Sequence, residues 1–196
     1  MVFDDWKEPS EKVVKHFTEV FDISNYKTET ELRRLFAENP TDENIRRRVN
    51  RLSAIYGTRI SMPDQEAISA YIFDEDIVGN AKAGDPDVVK NLAFNEERGY
   101  DRCLSFASKF CSFCNPCAYP IYDSLVLEAL LELNRIHSFD SAYDERERNQ
   151  IKYNYDYERF CQLIEKFRNH EPFGLGNCTL REIDKFLWIT GKGLVD

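Results

Sequence analysis

The stretch Arg102–Asn134, RCLSFASKFCSFCNPCAYPIYDSLVLEALLELN, decides the fold class. Leu104, Ala107 and Phe110 recur at helical spacing and run into a stop at Asn115-Pro116, because the residue before a proline is pushed out of the helical region. A short link turns through Pro120. Asp123 then opens a second, strongly apolar helix carrying Leu125, Val126, Leu127, Ala129, Leu130 and Leu131. An Asp suits such a start, since its carboxylate accepts the orphan N–H groups of the first turn. At the mouth of a buried helix the same carboxylate can also hold a working pKa, so capping and catalysis are both open for Asp123.

The rest of the chain reads as helix too. Ser10-Glu11-Lys12-Val13 is a capped start to a helix reaching about Phe21, and Thr28–Ala37 forms a short one closed by Asn39-Pro40. Thr41 opens the next through Ile45, Val49, Leu52 and Ile55, with Gly57 just past its end. Further helices are expected from Met62, over Asp74–Ala83 up to Gly84, and from Pro86. Asp140–Arg148 reads as a charged loop, Tyr153–Phe167 as a long helix, and Glu171–Gly176 as a loop by composition. Thr179 caps a last helix through Trp188 that Gly191 ends. No run alternates apolar and polar residues as a strand does, so the expectation is all-α.

With 196 residues, 42% apolar and 13% aromatic, the chain can fill one sizeable core or two small helical lobes sharing a groove. We expect a single domain over 1–196, its lobes dividing near 45 and 135. No segment approaches the ~20 apolar residues of a membrane span and no leader stands at the N-terminus, so a cytoplasmic monomer without membrane contact is expected. The net charge of −9 opposes non-specific nucleic-acid binding, yet Arg33, Arg34, Arg46, Arg47, Arg48, Arg51 and Arg59 crowd the first third. The six cysteines are expected as reduced thiols. Cys111, Cys114 and Cys117 have metal-run spacing, but buried thiols are the favoured reading, with no metal and no cofactor expected. His16, His137 and His170 stand at no ligand spacing and read as surface or packing residues.

The link Tyr119-Pro120-Ile121-Tyr122-Asp123 resembles that of the helix-hairpin-helix DNA glycosylases, in which a Val-Pro-Val-Asp-like segment follows the hairpin. The chain is similar to small bacterial 8-oxoguanine-DNA-glycosylase-like proteins in Phe-Ala-Ser-Lys-Phe-Cys at 106–111, Asn-Pro at 115–116, Pro-Ile-Tyr-Asp-Ser at 120–124, and the block Leu180–Trp188. The likeness covers most of the chain from about residue 45 onward. It implies two helical lobes around a groove and a DNA N-glycosylase that flips a damaged or modified base from duplex DNA and hydrolyses its N-glycosidic bond. Asp123 is then the catalytic carboxylate. Oxidised guanine and a bulky modified base of phage DNA both remain open as substrates, and with them repair and antiviral defence.

Further residues follow from the same resemblance. Asn50 and Tyr56, at the tip of a helix that faces DNA in the family, are expected at the base, as are Asp184 and Trp188 of the last helix. Arg51, Arg59 and Arg102 are expected at the DNA backbone. An ordinary amphipathic helix end and a core tryptophan are the plain alternatives. The family hairpin is Leu-x-Gly-x-Gly, whereas this chain has Glu96-Glu97-Arg98-Gly99-Tyr100-Asp101-Arg102, with one glycine. The hairpin lysine of bifunctional members would fall near Leu104, and Lys109 on the following helix is the nearest lysine. A monofunctional enzyme is therefore expected, with Lys109 as the lesser catalytic candidate. The rival is a catalytically inactive helical module binding nucleic acid or protein.

Overall fold

A computed structural model describes residues 5–58, 60–94, 103–141, 145–153 and 156–195. Every regular element among them is helical: α1 Glu11–Ala37, α2 Asp42–Tyr56, α3 Met62–Asp74, α4 Ile77–Ala83, α5 Val88–Ala93, α6 Leu104–Cys114, α7 Ser124–His137, α8 Glu145–Tyr153, α9 Tyr157–Arg168 and α10 Leu180–Val195, with 3-10 turns at Asp5–Lys7, Glu171–Phe173 and Leu175–Asn177. The chain divides into two compact units, residues 1–24 with 122–196, and residues 25–121. These divisions fall at 24/25 and 121/122, where the sequence suggests about 45 and 135.

The caps explain most of the boundaries. Thr41 accepts from the Asn44 N–H at 3.3 Å to start α2, and Gly57 ends it at φ +56°. Thr179 and Glu182 bond reciprocally, the Glu182 N–H to the Thr179 hydroxyl and the Thr179 N–H to the Glu182 carboxylate, and this starts α10.

Several boundaries differ from the sequence reading. The helix expected over Tyr153–Phe167 begins at Tyr157, with Tyr153 closing α8, and the one expected over Asp74–Ala83 begins at Ile77, with Asp74 closing α3. The helices expected at 10–21 and 28–37 are one helix of 27 residues. Its middle holds no Gly or Pro, and Thr18 and Ser24 return their hydroxyls to the Val14 and Val20 carbonyls at 2.9 and 3.1 Å instead of breaking the turn. The charged segment expected as a loop is helical from Glu145, because Ile151 is buried and Arg148 grips Glu128 of α7 at 2.6 Å. α10 also continues through Gly191 to Val195.

In the first unit, Phe167 lies 5.3 Å from Phe173 and 6.3 Å from Phe186, and Phe186 meets Phe17 of α1 at 5.3 Å. In the second, Ile45, Leu52, Ile68, Ile72, Leu92 and Phe106 are fully buried, and Phe36 packs on Phe110 at 5.1 Å. Arg48 is 0% exposed and sits on the α2 face that carries Ile45 and Leu52. It donates to the Leu35 carbonyl at 3.2 Å and to the Glu38 carbonyl, so it closes the open end of α1 while its guanidinium lies over Phe36.

Candidate functional site

In the first unit Asp123 is the N-cap of α7: extended backbone, half-buried, with one carboxylate oxygen accepting the Leu125 N–H at 3.1 Å. Tyr122 just before it is buried against Phe160 at 5.3 Å. The backbone of α10 also abuts this turn. A Cβ on Gly191 would fall 2.1 Å from the Leu125 carbonyl oxygen, so only glycine allows the approach. The carboxylate therefore stands on a turn held by its own cap, by Tyr122 and by α10.

Asp184 and Trp188 share one face of α10. Asp184 is buried and accepts from Arg181 at 2.6 Å. Trp188 is half-buried, edge-on to Phe21 at 5.6 Å, with the Lys192 ammonium 5.4 Å from its ring centre. Lys185 is buried beside them, its ammonium 5.5 Å from the Phe21 ring and bonded to Asp22. These cations, which sequence reading did not single out, line an aromatic patch.

The second unit sends the remaining candidates in two directions. Asn50 and Arg51 line a groove of about 540 Å³ between α2 and the end of α1. Arg51 forms a two-point pair with Glu31 at 2.5 and 2.6 Å, which holds the Glu31 carboxyl below its ordinary range. Tyr56 instead faces the interior and donates to Glu29 at 3.2 Å. Lys109, only 3% exposed, lies 5.3 Å from the centre of that ring and donates to Ser105 at 2.6 Å. Glu29, Tyr56, Lys109 and Ser105 thus form one polar chain across α1, α2 and α6. Ser105 and Lys109 are four residues apart on α6, which was legible; Glu29 was not. Arg59, Arg102 and the hairpin segment 96–101 lie outside the described residues.

Cys111 is buried, Cys114 half-buried and Cys117 exposed. Burial pushes the Cys111 thiol up and Cys114 to about 12, despite Arg48 and Lys82 nearby. No group of three or more His, Cys, Asp or Glu side chains suited to a metal occurs among the described residues. His137 and His170 pack on Phe173 at 4.8 and 4.5 Å. No described helix is long and apolar enough to cross a membrane.

Comparison with known proteins assigns a family through the N-terminal part of the chain. The N-terminal domain family HI_0787_N matches residues 10–118, and the chain belongs to it. An uncharacterized protein of Haemophilus influenzae is 34% identical over 119 residues, which is 60% of this chain and 52% of that protein. The chain thus spans about half the length of this curated relative. No solved structure matches. The family match takes in α1 to α6 and ends before Asp123.

Proposed function

We propose that this member of the HI_0787_N family is a monofunctional DNA glycosylase, with Asp123 as its catalytic carboxylate and with the two-lobed arrangement of the helix-hairpin-helix enzymes. The observation that carries the reading is the Pro-Ile-Tyr-Asp link, which ends on a half-buried carboxylate at the head of a buried helix. The substrate is duplex DNA with a damaged or modified base turned out of the stack. As the bond from C1′ to the base breaks, positive charge grows on the sugar, and a fixed carboxylate stabilises it. A water adds to C1′ and gives up its proton, the base leaves protonated, and an abasic site remains.

The burial of Lys109 under Tyr56 supports hydrolysis over imine chemistry, because an amine nucleophile must reach C1′. A second reading, an inactive binding module, is favoured by one observation: the bond from the Leu125 N–H gives Asp123 an ordinary capping task. Excision assays on a panel of modified duplexes, including DNA from a phage with modified bases, separate the two. Release of a base by the wild type and not by Asp123→Asn supports the enzyme; no release from any substrate leaves the binding module.

A further inference from the structure

The groove of the second unit is built from two facing stripes. Glu31 and Arg34 near the end of α1 and Glu38 just past it recur at intervals of three and four, and Arg47, Asn50 and Arg51 lie together on α2. Arg47 donates to Glu38 at 2.9 Å, as Arg51 does to Glu31. Arg34 is exposed and makes no hydrogen bond or ion pair among the described residues. We propose that this groove binds the phosphodiester backbone of nucleic acid, with Arg34 as the open contact and with Glu31 and Glu38 occupying phosphate positions on Arg51 and Arg47.

A carboxylate in the fork of a guanidinium uses the same paired N–H donors as a phosphate. All four paired side chains are at least one-third exposed or nearly so, and such pairs are weak and screened by salt, so a phosphate can displace the carboxylate. The arginines are spread along two helices over an opening of about 540 Å³ and do not converge on one enclosed cradle. That spacing suits the repeated charges of a polymer better than a single small anion. On a chain of net charge −9, this excess of arginine over glutamate gives polyanion binding a local seat. The inference rests on the DNA-binding part of the reading above and not on Asp123.

The test is anisotropy of a labelled duplex with the full chain between 50 and 200 mM salt. Arg34→Gln should weaken binding and lower the salt slope by about 1, so that the variant loses about threefold less affinity than wild type across that range. Glu31→Gln should tighten binding by freeing Arg51. Unchanged affinity and slope in both variants overturn the inference, as does a wild type that binds no duplex. Inorganic pyrophosphate binding by calorimetry in the wild type and not in Arg34→Gln, while duplex does not bind, would make this a small-anion site and also overturn it. Excision measured in parallel keeps the two ideas apart. Asp123-dependent release with Arg34-independent affinity removes only the groove, and Arg34-dependent affinity without release removes only the glycosylase.

Discussion

Gly191→Ala tests the packing that holds the Asp123 turn. The new methyl would lie 2.1 Å from the Leu125 carbonyl oxygen and 2.6 Å from its carbon. That is about 1.4 Å inside ordinary contact at ~3.5 Å, and the obstacle is backbone, which cannot rotate away as a side chain does. Overpacking of this kind costs about 1–3 kcal/mol or somewhat more, while Ala in place of Gly within a helix returns up to about 1 kcal/mol. A backbone contact at 2.1 Å belongs at the upper end of that cost, so the expected net loss is about 2 kcal/mol, or about 4–8 °C in the melting temperature of a chain this size. Gly193→Ala is the control, since it lies two residues on in the same helix with nothing within 4 Å of its Cβ. It should be neutral or slightly stabilising. Thermal melts and urea titrations followed by circular dichroism measure both variants. If Gly191→Ala is as stable as Gly193→Ala, the close approach of α10 to α7 is not what the packing argument requires.

Further outcomes follow from the same residues. Asn caps a helix about as well as Asp, so Asp123→Asn should melt with the wild type yet release base at least about two orders of magnitude more slowly; Asp123→Ala should also lose about 1 kcal/mol of stability. Unchanged turnover in folded Asp123→Asn would sink the mechanism. Borohydride added during reaction should trap no adduct, and a strong trapped band lost in Lys109→Ala would make that lysine a nucleophile despite its burial. Cys114 and Cys161 are pushed up to about 12 by burial from an ordinary 9.0, so the fold holds protons there that the unfolded chain releases. Their contribution is complete below pH 9 and lost as pH rises toward 12; urea midpoints should therefore fall above pH 9 in the wild type and less steeply in Cys161→Ala.

The helical class, most helix starts and stops, and the place of Asp123 at the head of α7 are legible in the amino-acid sequence. Those features are local. A cap is settled by one side chain and the N–H groups within three residues of it, as at Thr41, Asp123 and Thr179. Helical spacing also placed Ile45 and Leu52 inside, whereas Arg48, grouped in the sequence with the other arginines, is buried on the same face against the α1 carbonyls. Which neighbour each candidate meets depends on how the helices pack. Asn50 and Arg51 reach the groove while Tyr56, one turn further along, turns inward to Glu29 and Lys109. A 3.6-residue period fixes the angle between these side chains on α2 but says nothing of what lies across from them. Gly191 shows the same limit. Glycine after a run of helix formers reads locally as a stop, and only the Leu125 backbone lying against it shows that its missing side chain serves packing.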